Sequence, residues 1–200
     1  LLVIQMQGAD INSTNTDAYG DGVAGAPASG YTAAGGSGLY EYVLATSGVV
    51  AGSVSISGTG PGAGLLNSYT RAAATATTGQ RTFQVVRVPQ FTTATTSSGL
   101  TAAAWNGSTG GVLALDTTST LTLNGTVSVD GLGFRGGIGI QRGGGSGLSN
   151  TDVAVSSSAG AHGTKGEGIA GTASGVTTSN GYPGGDAGRG APANAGGGGT

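Results

Sequence analysis

The sequence predicts an all-β fold in which a small antiparallel sheet or barrel-like cap is followed by a parallel β-helix-like solenoid with glycine-rich loops. Three observations carry this expectation. Short runs of Val, Ile and Thr alternate with other residues, as suits a pleated, half-buried surface. No 3.6-residue apolar stripe with caps is present, and Gly interrupts nearly every window in which a helix would have to form. Of 200 residues 44 are Gly, yet the formal net charge is only −2, whereas disordered chains combine low hydrophobicity with high net charge. Most of the chain is therefore expected to be ordered.

The elements follow in order. Leu2, Ile4 and Met6 alternate with Val3, Gln5 and Gln7, so the first strand has one apolar face and one that becomes amide-bearing. Further strands are expected over 39–45, 53–57 and 82–88, and Pro89 ends the last of these or places it at a sheet edge. Residues 1–90 thus form the sheet or barrel-like cap. From Gly111 the spacing tightens into 112–116, 121–123 and 127–129, divided by Thr117-Thr118-Ser119 and Asn124-Gly125. Asn-Gly is a hairpin signal and allows a meander or sandwich, but short strands with tight polar corners favour β-helix rungs, assigned to 91–140. Residues 141–200 form glycine-rich loops or a polyglycine-like continuation, because Gly143–Gly145, Gly184–Gly185 and Gly196–Gly199 leave little side chain to bury.

Several function classes are excluded or disfavoured. With no Cys there is neither a disulfide framework nor a thiolate metal site. Seven scattered Lys and Arg residues make no basic stripe, so nucleic acid is not expected as a partner. No run approaches the ~20 apolar residues of a membrane span. The chain opens on Leu1-Leu2-Val3-Ile4 without a basic n-region or initiator Met, which suggests excision from a longer protein.

Five segments carry a resemblance. Leu2–Gln7 with Asn12–Asn15, Tyr40–Val43, Phe83–Phe91, Trp105–Ala114 and Val129–Gly137 together resemble a domain of large secreted glycine-rich bacterial surface proteins. The resemblance spans most of 1–140. These proteins are adhesin-like and of uncharacterised activity, so the resemblance implies export and a modular extracellular neighbourhood but no assigned activity, and it brings no catalytic residues. Residues 184–200 alone are similar to glycine-rich phage tail-fibre adhesins, which implies a receptor-binding tail as a minor alternative.

Candidate chemistry is sparse. Asp10, Asn12, Asn15, Asp17 and Asp21 supply oxygen ligands at short intervals, as a calcium loop requires, although their spacing is not that of an EF-hand. Asx-turn formation accounts for the same residues more simply. A polysaccharide-processing enzyme on a β-helix needs a carboxylate pair. Candidates are Glu41, Asp116, Asp130, Asp152, Glu167 and Asp186, with Asp116 and Asp130 both at strand ends. His162 has no second His or Cys with which to hold zinc. Neither Ser146 nor Ser174 lies in a nucleophile elbow. Trp105 and Tyr182 are the candidate ligand contacts among aromatic residues that include Tyr40 and Tyr42; Trp105 is otherwise a core plug. Asn12, Asn106 and Asn124 lie in glycosylation sequons. The sequence thus predicts a non-enzymatic extracellular structural or adhesive module whose partners are cell-surface glycans or further copies of itself.

Overall fold

In a computed structural model of the chain, residues 1–10, 33–75, 78–137 and 165–171 are described. They form nine short strands, β1 (Leu2–Gln7), β2 (Tyr40–Tyr42), β3 (Leu44–Ala45), β4 (Ile56–Ser57), β5 (Thr82–Val86), β6 (Gln90–Phe91), β7 (Ala94–Thr96), β8 (Asp116–Thr117) and β9 (Leu121–Leu123). The only helical element among the described residues is a single 3-10 turn, Pro61–Ala63. The fold is all-β. Contacts divide the chain into two units that interleave in sequence, 1–5 with 38–69 and 83–133, and 6–37 with 70–82 and 134–200.

In the first unit β2 pairs antiparallel with β1 through Leu2↔Tyr42, Val3↔Glu41 and Ile4↔Tyr40. Main-chain bonds from Val43 to Leu1 and from Gln5 to Leu39 continue the ladder. β1 is the central strand of a three-stranded sheet ordered β2-β1-β5. β3 and β4 form a second antiparallel pair, Leu44↔Ser57 and Ala45↔Ile56. Its tip is closed by Val50↔Ser53 around Ala51 and Gly52, whose φ values are 49° and 79°. Two successive left-handed residues match the twist of a tight hairpin, but Ala carries a Cβ that this conformation disfavours. Ala51→Asn is therefore expected to raise stability by about 0.5–1 kcal/mol, read as a higher urea midpoint. A lower midpoint would contradict this account of the turn.

Beyond Pro89 the pairing becomes parallel. Gln90 lies opposite Asp116 and Phe91 opposite Thr117, 26 residues on. Ala94, Thr95 and Thr96 lie opposite Leu121, Thr122 and Leu123, 27 residues on. Leu100 bridges Val127 in parallel, and Trp105 donates its main-chain N–H to the Leu132 carbonyl at 2.8 Å. The chain thus makes two parallel passes in nearly constant register. At the corner between β9 and Val127 the passes approach so closely that a Cβ on Gly125 would lie 2.6 Å from the Ser98 carbonyl carbon, and one on Gly99 2.8 Å from the Thr126 oxygen.

Asn124-Gly125 therefore does not close a hairpin, because the residues after it bond to the earlier pass. The strand expected over 112–116 begins only at Asp116, and that over 127–129 is reduced to the bridge at Val127. β6 and β7 carry no clear alternation, yet they pair because stacking brings their backbones into register.

In the described part of the second unit, Gly8 and Ala9 both donate to the Ile169 carbonyl, Gln80 donates to that of Ala170, and Ala72 pairs with Arg81. Ala9 and Ala170 are buried, with Ile169 packed against them. A Cβ on Gly79 would lie 2.1 Å from the Ala9 oxygen, so only Gly fits there.

The side-chain distribution departs from an oily core. Along β1 the amide-bearing face is buried, with Gln5 3% and Gln7 0% exposed. Along β5 Thr82 and Gln84 are buried while Val85 is 48% exposed. Polar side chains share the interior with Leu2, Val3, Val43 and Trp105, and many other large apolar ones are left on the surface.

Candidate functional site

Buried polar groups cost free energy unless bonded, and Glu41 and Gln84 each clamp a loop. Glu41 projects from β2 toward 66–67. Its Oε2 accepts from the Leu66 N–H at 2.8 Å, and its Oε1 from the Asn67 N–H at 2.9 Å and the Asn67 Nδ2 at 3.4 Å. Gln84 on β5 clamps Gly110 at two points, with Nε2 donating to the Gly110 carbonyl and Oε1 accepting from its N–H. In this way one side-chain amide imitates the pairing of a neighbouring strand.

The Tyr69 hydroxyl is buried without a hydrogen bond of full geometry. It nonetheless lies close enough to Glu41 for each group to shift the other's proton affinity. Burial resists ionisation of Glu41, but the Leu66 and Asn67 N–H groups, with Tyr69 and the Asn67 amide, outweigh it and hold the carboxyl below its ordinary value of 4.5. Burial first, and the interaction with the Glu41 carboxylate as hydrogen-bond acceptor second, push the Tyr69 hydroxyl up.

A carboxyl with a depressed folded pKa stabilises the protein fully above its unfolded value, and this contribution is lost as pH falls through the lower folded value. The melting temperature is therefore expected to drop below pH ~4.5, and Glu41→Gln, already destabilised at neutral pH by an amide facing N–H donors, should drop less steeply. Parallel acid limbs in the two proteins would remove Glu41 from this role.

In the second unit two ion pairs play the same part. One Arg81 guanidinium nitrogen bridges both Asp10 oxygens at 2.9 and 3.0 Å, and Asp10 Oδ1 also accepts from the Gly79 N–H at 2.7 Å. Arg135 meets Glu167 through Nε at 2.9 Å and Nη2 at 3.2 Å. The Glu167 side chain is fully buried, whereas that of Arg135 is 42% exposed. The hydrogen bond to Glu167 holds Arg135 more firmly protonated, against the effect of its own burial.

The surface of the first unit is the complement of this polar interior. Tyr40 and Tyr42 occupy one face of β2, 58% and 60% exposed, with rings 6.1 Å apart and edge to face at 85°. Leu44, Val49 and Val50 are 64%, 76% and 71% exposed. Tyr42 borders three open recesses. One, of about 710 Å³, also includes Leu44, Val49 and Arg87. Another, of about 400 Å³, is lined by Leu113, Leu121, Leu123 and Val127. A third, of about 320 Å³, is lined by Val88, Gln90, Leu115 and Asp116. A contiguous exposed apolar area of this kind is what interaction surfaces present.

The residues singled out from sequence fall into three groups. Asp10 is engaged by Arg81 and Gly79; Asn12, Asn15, Asp17 and Asp21 lie outside the described residues, as do Tyr182, Asp152, Asp186, His162, Ser146 and Ser174. Trp105 is 4% exposed, so the structure places it as a core plug with no open ring face for a ligand. Glu41 and Glu167 are consumed by the clamps above, Asp116 lines a recess beside Tyr42, and Asp130 sits at the turn before Gly131. Among the described residues no group of three or more His, Cys, Asp or Glu side chains is placed to hold a metal ion.

Sequence reasoning did not single out Tyr42 as the residue shared by these recesses. The Tyr-x-Tyr spacing at 40–42 puts both rings on one strand face and was the available signal. Comparison with models of known families, with curated proteins and with solved structures finds no match to this chain. Among the described residues no helix is long and apolar enough to cross a membrane.

Proposed function

We propose that this chain is a non-enzymatic structural or adhesive module of a larger secreted bacterial surface protein, with 90–132 forming two turns of a β-helix-like stalk. The observation that carries this reading is the parallel stacking of 90–105 on 116–132 at a spacing of 26–27 residues. Stacked passes lengthen by repetition, and each new pass is held by its neighbour's main chain. The exposed Tyr40–Tyr42 face and its recesses supply a contact surface for cell-surface glycans or for another copy of the module.

One observation favours a second reading. Asp116 lines a recess beside Tyr42, which is where a polysaccharide-processing enzyme on this scaffold would keep a carboxylate. Incubating the purified chain with a panel of bacterial and plant polysaccharides and measuring new reducing ends separates the two. The adhesive reading expects binding without new ends. Turnover that disappears in Asp116→Asn or Asp130→Asn would establish the enzyme instead.

A further inference from the structure

Two Asn-Gly pairs lie in the described chain, Asn106-Gly107 and Asn124-Gly125, and the structure treats them differently. In such a pair the glycine nitrogen can attack the asparagine Cγ. The N–Cγ bond forms, the Cγ–Nδ2 bond breaks and ammonia leaves. Water then opens the resulting imide at either carbonyl, leaving aspartate or isoaspartate. Glycine favours the attack because it has no Cβ to obstruct the ring. The reaction also needs an asparagine side chain free to turn onto the next nitrogen.

We infer that Asn124 is a site of spontaneous deamidation and isoaspartate formation, and that Asn106 is protected from it. Asn106 Oδ1 accepts from the Ser108 and Thr109 N–H groups, both at 2.9 Å, and its Nδ2 donates to Thr109 Oγ1 at 3.4 Å. These bonds hold its carboxamide in an Asx turn, away from Gly107. Asn124 is exposed, and the hydrogen bond it makes is through its own main-chain N–H, donated to Thr96 Oγ1 at 3.0 Å. Among the described residues neither the Asn124 side chain nor the Gly125 N–H makes a hydrogen bond.

Gly125 is also fixed by packing, since an added Cβ would lie 2.6–2.8 Å from Ser98 and Gly99 main-chain atoms. The susceptible pair is therefore built into the corner where the two passes meet. Conversion to aspartate takes the net charge from −2 to −3. Conversion to isoaspartate inserts a methylene into the backbone between β9 and the Leu100↔Val127 bridge, which disturbs the stacked register. The inference is independent of the functional reading above.

The test is peptide mapping by mass spectrometry of the purified chain held in warm, mildly alkaline buffer, folded in one sample and unfolded in urea in another. In the folded sample the Asn106 peptide should convert at least about tenfold more slowly than the Asn124 peptide, because the hydrogen bonds that hold its carboxamide must break before its ring can close. In urea the two rates should converge, and Asn124→Ser should remove the early conversion alone. Equal conversion of both sites in the folded chain would overturn the inference. So would conversion in urea with none at Asn124 in the folded sample.

Discussion

Replacing Gln7 by leucine is expected to cost about 1–3 kcal/mol of stability, although leucine is the more hydrophobic residue and close to it in size. Gln7 is 0% exposed, and its Nε2 donates to the Gly168 and Gly171 carbonyls at 3.0 and 2.9 Å. Its Oε1 accepts from Gln80 Nε2 at 3.0 Å. Leucine removes three buried hydrogen bonds, at about 1–2 kcal/mol each; the groups are not orphaned, because Gly168 and Gly171 still bond each other's carbonyls and Gln80 Nε2 still donates to Thr82 Oγ1. The transfer gain from a leucine side chain, about 1.5–3 kcal/mol, offsets only part of that. Urea unfolding followed by circular dichroism measures the difference. A loss below about 1 kcal/mol would mean that the polar interior is not what holds 165–171 in place.

Trp105→Ala is expected to have a larger effect, about 3–5 kcal/mol, for the opposite reason. Trp105 is the largest buried apolar side chain described, and its main chain is tied to Leu132 in the parallel register. Truncation opens a cavity that Gly110 and Gly111 cannot fill, since both have positive φ and no side chain. The same variant separates two roles for this residue. A structural plug predicts a lowered unfolding midpoint. An unchanged midpoint with lost glycan binding would restore Trp105 as a ligand contact.

The legible part of this fold was its class and the strands with clear alternation. β1, β5 and β9 stand where Leu2–Gln7, Thr82–Val88 and Leu121–Leu123 place them. The direction of β1 and β5 toward the interior was not legible. Gln5, Gln7, Thr82 and Gln84 resemble a solvent face, but in a chain this rich in Gly the loops have few side chains of their own. Their carbonyls and N–H groups take partners from the strands, which draws amides inward and leaves Tyr40, Tyr42 and Val85 outside. The 26–27-residue register was illegible for a different reason. Gln90-Phe91 and Asp116-Thr117 share no pattern, because the bonds that pair them are main-chain bonds indifferent to side chain.

The candidate site divides in the same way. Asp10 stood out as an oxygen ligand, while Arg81, the residue that engages it, is 71 positions away and carried no local signal. Tyr42 gained its place from the fold alone, since the recesses it shares with Leu121 and Asp116 join residues more than 70 apart in sequence.

The proposed place of this chain is a stalk or adhesive surface outside the cell. Its most direct test is immunogold electron microscopy of intact producing cells, with antibody raised against residues 1–140. The account predicts gold on the outer surface, on fibres or at the ends of thin projections. Label confined to the cell interior, with intact cells unstained, would contradict it.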